Sequence, residues 1–232
     1  VKNITATSAT SGGFIEYSGN EDVIERGVCW STNPNPKISD NKTIDAAGTG
    51  EFISSIVGLS ANTTYYIRAY AKTKKNTTYG IQLSFTTLNG LIGISTLPAS
   101  NVSATSAIIG VVVNIDGGAE ITERGICWGK DPNPTVILSN KTLNGIGLGS
   151  FEVALTELEP ATVYFARSYA KNSVNTIYGN EVIFTTKNGI IKIRTLPVQT
   201  FTSETATCGG IIDDDGGADV TARGVCWSVN TS

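Results

Sequence analysis

Histidine and methionine are both absent from the 232 residues of this chain. Without histidine the chain cannot assemble a Ser-His-Asp or Cys-His catalytic group, nor supply the imidazole ligands that catalytic zinc usually has. These absences exclude most familiar hydrolase chemistry. We therefore predict a non-enzymatic protein with no catalytic residue, no metal site and no cofactor.

The chain also lacks a basic run and a long apolar run. It carries 17 basic and 20 acidic residues, for a net charge of -3, so we expect no nucleic-acid partner. No apolar run approaches the roughly 18 to 20 residues that cross a bilayer, so we expect no direct membrane insertion in this segment. The first ten residues show no signal-peptide pattern, which indicates a chain that starts after its targeting segment or was cut from a longer protein.

What the chain does contain is a long repeat. Three 27-residue stretches, Ile4–Trp30, Val102–Trp128 and Phe201–Trp227, align without a gap at offsets of 98 and 99 residues. The later stretch "GLSANTTYYIRAYAK" also returns as "ELEPATVYFARSYAK". A period of about one hundred residues indicates duplicated domains. We predict repeat 1 at 1–88 with its first strand incomplete, a complete repeat 2 at 91–187, and the first three strands of repeat 3 at 190–232.

Each repeat has the pattern of short β-strands. Thr, Val, Ile, Tyr and Phe dominate runs that are separated by turn sequences such as "SGNED", "NPNP" and "AAGTG". Turn signals every 8 to 12 residues are typical of a β-sandwich. The predicted fold is all-β, with seven strands in the complete repeat, near 92–97, 106–114, 120–129, 136–143, 150–156, 163–171 and 177–186. Linkers of about two residues, "NG" at 89–90 and 188–189, predict a stiff rod.

The later half of each repeat resembles the fibronectin type III family. The motif "LEPATVY" in repeat 2 (Leu158, Tyr164) and Leu59 with Tyr65 in repeat 1 are similar to that family's Leu-x-Pro-x-Thr-x-Tyr corner, although Ala61 stands in place of the proline. The whole unit resembles tandem repeats in surface proteins and lipoproteins of the Bacteroidetes. This resemblance implies tandem immunoglobulin-like sandwiches and a bacterial surface or extracellular location, with Leu59, Leu158, Tyr65 and Tyr164 as structural residues.

The pentapeptide "RGVCW" at Arg26–Trp30 returns at Arg124 and Arg223. Because side chains of a strand alternate between its faces, the three tryptophans, Trp30, Trp128 and Trp227, share one face and the cysteines share the other. The strand after the corner offers only small residues such as Ala166 to its sandwich partner, so we expect the tryptophans to point into the core. We expect four free thiols, and arginines paired with acidic neighbours such as Glu25 and Glu123.

One row of large side chains is the best candidate binding face. Flat aromatic rings and arginines are favoured in recognition patches, although the same alternation also arises from β-propensity and from structural cover. The row consists of Tyr66, Arg68 and Tyr70 in repeat 1 and of Phe165, Arg167 and Tyr169 in repeat 2. The acidic loop Asp213–Asp219 is a weaker candidate for calcium, because its spacing matches no EF-hand and a solvated turn explains it.

Three functions remain open from the sequence. The first is an extracellular stalk, adhesin segment or body of a surface fibre, whose partners are the neighbouring repeats of the same protein. The second is a module that binds a surface glycan or protein through the aromatic row. The third is a filament subunit in which copies of the chain complete each other by strand addition.

Overall fold

The computed structural model describes residues 1–229 and is built of strands and loops. Repeat 1 contains β1 (Ser8–Ile15), β2 (Glu25–Ser31), β3 (Asn41–Lys42), β4 (Gly50–Val57), β5 (Thr64–Lys72), β6 (Thr77–Tyr79) and β7 (Leu83–Thr86). Repeat 2 contains β8 (Gly93–Ser100), β9 (Ala107–Ile115), β10 (Glu123–Gly129), β11 (Asn140–Lys141), β12 (Gly149–Leu155), β13 (Val163–Lys171) and β14 (Thr176–Thr185). Repeat 3 contains β15 (Lys192–Thr195), β16 (Thr200–Phe201), β17 (Ala206–Thr207) and β18 (Gly210–Asp214).

Repeat 2 is a seven-stranded sandwich of two antiparallel sheets. One sheet has the strand order β12-β9-β8, and the other has the order β11-β10-β13-β14. The all-β prediction is therefore confirmed. A core of buried apolar side chains, among them Ile109, Ile126 and Leu155, lies between the sheets, and Trp128 packs against it.

Strand periodicity explains how each sheet acquires one buried face. Along β4, Phe52, Ser54 and Ile56 are buried while the residues between them are exposed. Phe52 and Ile56 join Val28, Ile67 and other buried residues in a separate core in repeat 1, with Trp30 packed against it. The alternation of apolar and polar letters that predicted strands thus also selects the side chains that become the core.

The predicted corner is present in both repeats. The backbone N–H of Ser60 donates to Tyr65 Oη at 3.0 Å, and the N–H of Glu159 donates to Tyr164 Oη at 3.0 Å. Each tyrosine ring stacks on a phenylalanine of the adjacent strand at 5.8 Å between ring centroids. Leu59 and Leu158 are buried beside them.

One predicted strand is much shorter than expected. The sequence indicated a strand over 136–143, but only Asn140–Lys141 of β11 pairs with β10. The preceding residues form a turn instead, in which the Ser139 N–H donates to the Thr135 carbonyl at 3.1 Å and the Thr135 N–H to Ser139 Oγ at 3.2 Å. These local hydrogen bonds compete with strand pairing.

The prediction for Trp227 is wrong. This side chain is 89% exposed, whereas Trp30 and Trp128 are half-buried against their cores. Trp128 lies opposite Ala166 of β13, which leaves room for the indole. Within the described residues 190–229 no strand lies beside Trp227 in the same way.

No helix within residues 1–229 is long and apolar enough to cross a membrane.

Candidate functional site

The arginine of the pentapeptide binds a glycine-rich loop. Arg26 donates from Nη1 to the carbonyls of Gly48 at 3.0 Å and Thr49 at 2.6 Å. Arg124 donates from Nε to the Asn144 carbonyl at 3.2 Å and from Nη1 to the Gly147 carbonyl at 3.0 Å. Each guanidinium also lies over a phenylalanine ring of the strand that this loop leads into. The arginine therefore fixes the loop that leads into β4 or β12.

The expected pairing of these arginines with the adjacent glutamates is thus wrong. Glu25 bonds Lys42 Nζ at 2.6 Å, and Glu123 bonds Lys141 Nζ at 3.3 Å. Because adjacent side chains of a strand point to opposite faces, Arg26 cannot share the face of Glu25. The carbonyl oxygens of the loop supply the negative partial charge that the guanidinium needs.

The cysteines of repeats 1 and 2 lie in closed surroundings. Cys29 and Cys127 have no exposed surface, and each thiol donates to a proline carbonyl, of Pro36 at 3.4 Å and of Pro134 at 3.3 Å. Burial raises the pKa of both thiols, for Cys127 to about 11. A thiol that stays protonated at neutral pH is a poor nucleophile and a poor metal ligand. All four cysteines of the chain are free, with Cys208 and Cys226 exposed.

The predicted aromatic row divides into buried and half-buried members. Tyr70 and Tyr169 are 2% and 1% exposed, so the binding role predicted for these two side chains does not fit the structure. Each lies opposite the glycine of the pentapeptide, Gly27 or Gly125, which leaves space for the ring. An added Cβ on either glycine would come within 2.3 Å of a backbone carbonyl oxygen.

Both buried tyrosines act as hydrogen-bond donors. Tyr169 Oη lies 2.9 Å from Glu123 Oε1 and 2.7 Å from the Thr142 carbonyl oxygen, so its single hydrogen is shared between two acceptors, and Tyr70 has the corresponding contacts in repeat 1. Burial raises the pKa of Tyr169, and the bond to Glu123 adds to this effect. The same hydrogen bond, aided by Lys141, lowers the pKa of Glu123.

The other members of the row are half-buried. Tyr66, Arg68, Phe165 and Arg167 keep part of their surface accessible. Arg68 lies over the Tyr79 ring at 4.6 Å and donates from Nε to the Gly80 carbonyl at 3.0 Å, and Arg167 does the same with Tyr178 and Gly179. The arginines are thus occupied by contacts inside the repeat. A ligand for this surface stays a prediction.

The acidic loop of repeat 3 has its carboxylates directed to separate partners. Asp213 pairs with Arg194 at 3.1 Å, and Asp214 pairs with Lys192 at 3.4 Å. Asp215 accepts a hydrogen bond from the Gly217 N–H at 2.7 Å. No group of three or more Cys, Asp or Glu side chains in the described residues is placed to hold a metal ion.

The joint between repeats 1 and 2 is a hydrogen-bonded contact. The Gly90 N–H donates to the Gly117 carbonyl at 3.0 Å, and the Ala6 N–H donates to the Gly118 carbonyl at 2.7 Å. Asn172 is buried and donates from Nδ2 to the carbonyls of Gly90 at 2.9 Å and Asp116 at 3.0 Å. Backbone from both repeats is therefore fixed at the linker.

The joint between repeats 2 and 3 repeats this geometry. The Gly189 N–H donates to the Gly216 carbonyl at 3.0 Å, and the Ala104 N–H donates to the Gly217 carbonyl at 2.9 Å. In both joints the linker asparagine accepts from the N–H two residues later, Asn89 from Leu91 at 2.9 Å and Asn188 from Ile190 at 3.0 Å. Equivalent residues thus make equivalent bonds at both linkers.

Sequence reasoning missed the glycine pairs of the joints. Both pairs, 117–118 and 216–217, have positive φ and receive the preceding linker. An added Cβ on Gly117 would lie 2.3 Å from the carbonyl carbon of Gly90, and one on Gly216 would lie 2.5 Å from the Ile190 nitrogen. The available signal was spacing, since each "GG" follows the linker "NG" at the same distance in both repeats.

Comparison with known proteins yields distant structural similarities. No protein-family model matches the chain. No curated protein matches it either. Among solved structures, the sensor domain (short form) of the anti-sigma factor RsgI4 of Pseudobacteroides cellulosolvens is 19% identical over 41% of this chain and 93% of its own, with a TM-score of 0.32.

Two further similar structures are fibronectin type III tandems from chicken. A two-domain segment of tenascin is 17% identical over 79% of this chain and 94% of its own, with a TM-score of 0.34. The FN1–FN3 domains of CNTN1 are 11% identical over 78% of this chain and 60% of their own, with a TM-score of 0.32. At these values the similarities carry no information about what this chain binds.

Proposed function

We propose that this chain is a non-enzymatic structural segment of an extracellular or surface-exposed protein, a stalk that holds its repeats at fixed angles. The observation that carries the proposal is the recurrence of the same hydrogen bonds at both joints, from Gly90 to Gly117 and from Gly189 to Gly216. If the linkers were flexible, the same hydrogen bonds would not be expected at both joints. A segment that transmits position or force along its length needs them.

The interior of each repeat supports the same proposal. In repeats 1 and 2 the side chains that could have formed a chemical site in the pentapeptide are engaged in the fold: the arginine with the glycine loop and the cysteine beneath the proline loop. Tandem sandwiches with short linkers are suited to span distance because each repeat folds around its own core.

The test is the distribution of distances between repeats 1 and 2. Spin labels on cysteines introduced at Ile44 and Ile137, both exposed, in a chain with Cys208 and Cys226 changed to Ser, are measured by double electron–electron resonance. We expect one narrow distance peak. Gly117→Ala should broaden or shift it, because the added methyl group collides with the linker backbone at Gly90.

Gly48→Ala is the matched control, since Gly48 also has a positive φ but an added Cβ there meets no atom within 4 Å. This variant should leave the peak unchanged. A broad distribution in the parent chain would refute the stalk with fixed angles.

A further inference from the structure

Asparagine is followed by glycine at three places in the chain. Two of the pairs, Asn89–Gly90 and Asn188–Gly189, are the linkers of the joints, and the third, Asn144–Gly145, lies in the loop that Arg124 binds. In such a pair the glycine nitrogen can attack the side-chain amide carbon of the asparagine, because glycine has no Cβ to hinder the approach. Each pair is therefore a candidate for deamidation, and the surroundings of the two reacting groups decide which one reacts.

The amide oxygen that would take up negative charge is hydrogen-bonded in all three asparagines. Thr142 Oγ1 donates to Asn144 Oδ1 at 2.5 Å, while Asn89 and Asn188 accept from the backbone N–H two residues later. A donor at this oxygen stabilises the charge that develops on it when a nitrogen attacks the amide carbon. The carbon that is attacked thus has a similar environment in the three pairs, and it does not distinguish between them.

The attacking nitrogen is engaged at both joints. The Gly90 N–H donates to the Gly117 carbonyl, and the Gly189 N–H donates to the Gly216 carbonyl, each at 3.0 Å. Gly90 is buried and Gly189 is half-buried. The nitrogen becomes a nucleophile only after its N–H has lost the proton to hydroxide, so these hydrogen bonds must open before either linker asparagine can react.

The nitrogen of Gly145 is accessible in the folded loop. Gly145 is exposed, and an added Cβ on it would meet no atom within 4 Å. Its carbonyl accepts from the Arg124 N–H at 3.2 Å, but its own N–H donates to no acceptor in residues 1–229. Hydroxide can therefore reach this N–H while the loop stays folded, and no hydrogen bond of the Gly145 nitrogen has to open first.

We propose that Asn144 is a site of spontaneous deamidation in the folded chain, and that the hydrogen bonds of the joints protect Asn89 and Asn188 from the same reaction. The three pairs have the same two residues, so the selectivity comes from the fold. This modification goes beyond the stalk function, because it depends on the accessibility of one backbone nitrogen and not on what the repeats carry. The joint bonds then have a second effect, since they keep both linkers chemically intact.

The reaction consumes water and releases ammonia. The Gly145 nitrogen gives up its proton to hydroxide and forms a bond to Cγ of Asn144, the bond from Cγ to Nδ2 breaks, and Nδ2 takes up a proton and leaves as ammonia. The product is a five-membered cyclic imide. Water then adds to one of its two carbonyl carbons and breaks the bond from that carbon to the Gly145 nitrogen. Addition at Cγ gives aspartate, and addition at the main-chain carbonyl carbon gives isoaspartate.

The aspartate product fits the loop, because repeat 1 already has an aspartate at this position. Asp45 is the counterpart of Asn144, and the N–H of each donates to the carbonyl of the pentapeptide arginine of its repeat at 2.8 Å. Asp45 Oδ2 accepts from Thr43 Oγ1 at 3.0 Å, and Thr142, the counterpart of Thr43, would make the same bond to a carboxylate at 144. Asn144→Asp should therefore unfold at the same denaturant concentration as the parent chain, whereas a clear destabilisation would contradict this fit.

The isoaspartate product would disturb the loop. It places one extra carbon atom in the main chain between the Cα of residue 144 and the nitrogen of Gly145. Arg124 depends on this spacing, since its side chain bonds the carbonyls of Asn144 and Gly147 and its N–H bonds that of Gly145. A longer main chain moves these carbonyls away from the arginine. The loop that leads into β12 would then lose part of its attachment.

Comparison of the folded with the unfolded chain tests the proposal. The chain is incubated at pH 8 with and without guanidinium chloride, and the peptides that contain the three asparagines are followed by mass spectrometry. In the unfolded chain the three should react at similar rates, because each is followed by glycine. In the folded chain Asn144 should react at least about tenfold faster than Asn89 or Asn188, since local opening limits the two linkers. Equal rates in the folded chain, or protection of Asn144 as strong as that of the linkers, would overturn the proposal.

Variants in which one joint is opened test the protection separately. Gly117→Ala, whose added methyl group collides with the linker, should raise the rate at Asn89 at least about threefold and leave the rate at Asn188 unchanged. Gly216→Ala should have the reverse effect. Asn144 is the internal control, because its rate should stay the same in both variants. Unchanged rates at both linkers would show that the joint bonds do not protect them and would overturn that part of the proposal.

Discussion

The pentapeptide at Arg26–Trp30 places neighbouring side chains in different contacts. The arginine binds loop carbonyls, the glycine makes room for a tyrosine ring, the valine enters the core and the cysteine lies beneath a proline loop. Only the tryptophan keeps part of its surface accessible. Recurrence of such a motif reflects the needs of packing, and a chemical role is unnecessary to explain it.

The contribution of the Tyr169 hydroxyl to stability can be tested by changing this one residue. Tyr169→Phe should lower the free energy of unfolding of repeat 2 at pH 7 by about 2 kcal/mol, because the buried hydrogen bond that the hydroxyl shares between the Glu123 carboxylate and the Thr142 carbonyl is lost. It should also change the dependence of stability on pH, measured by urea unfolding between pH 3 and pH 11.

The direction in which stability changes with pH follows from the two pKa shifts. The pKa of Tyr169 is raised in the folded state, so its contribution is present below the ordinary value of 10.0 and lost as pH rises above it. The pKa of Glu123 is lowered, so its contribution is present above the ordinary value of 4.5 and lost as pH falls below it. The variant should show a smaller loss at both ends, whereas Tyr17→Phe, at a tyrosine that is 75% exposed, should behave as the parent. An unchanged profile for Tyr169→Phe would contradict this explanation.

At the scale of elements, the two corners form with different sequences. Pro160 of repeat 2 is replaced by Ala61 in repeat 1, yet the threonine two residues later donates to the carbonyl of that position at 2.9 Å in both repeats. The tyrosine bonds of the two corners have equal lengths as well. The proline therefore does not create the corner; it restricts the unfolded chain.

Reciprocal substitutions test this role of the proline. Ala61→Pro should raise the free energy of unfolding of repeat 1 by about 0.5 to 1 kcal/mol, because the unfolded chain loses conformational freedom while the folded corner stays the same. Pro160→Ala should lower that of repeat 2 by a similar amount. Denaturant unfolding of the two variants and the parent measures both values. Destabilisation by both changes would show that Ala61 has a conformation that proline cannot adopt.

At the scale of the whole molecule, a few hydrogen bonds connect one repeat to the next. Asn172 is the buried side chain that links the β13–β14 turn of repeat 2 to the Gly90 carbonyl of the linker. Its Oδ1 accepts from the N–H groups of Val174 at 2.9 Å and Asn175 at 2.7 Å, so the oxygen and the nitrogen of the amide have separate structural roles. One end shapes the turn, and the other holds the joint.

Asn172→Asp separates these two tasks. The carboxylate keeps the acceptor for the turn but puts an oxygen against the carbonyls of Gly90 and Asp116, which weakens the joint. Amide hydrogen exchange should show the Gly90 N–H exchanging at least about tenfold faster. The Gly189 N–H of the other joint is the internal control and should keep its rate. Faster exchange across all of repeat 2 would mean that the whole repeat, and not the joint, is destabilised.

Much of this architecture could be predicted from local patterns. Alternation of apolar residues defines β4 and β13, and "NG" and "GG" define turns, since these patterns depend on residues close in sequence. The offset between copies of "RGVCW" defines the repeat, because it is found by comparing the sequence with itself. The inward direction of Trp128 also follows from parity and from the small side chain of Ala166. Because side chains alternate along a strand, the position of a residue in the strand determines the face on which its side chain lies.

Contacts between residues that are distant in the sequence could be identified only from the tertiary structure. The loop carbonyls that bind Arg26, the linker that reaches Gly117, and the bonds from Asn180 to Thr96 join residues more than twenty positions apart, and no local period encodes them. The exposure of Trp227 shows the same limit, because parity assigns a face but only neighbouring strands bury it. The sequence by itself determined the strands, the repeat and the inward faces, since these depend on backbone geometry and residue type. The tertiary structure decided the joints and the partner of each polar group, because these depend on which strands meet in space.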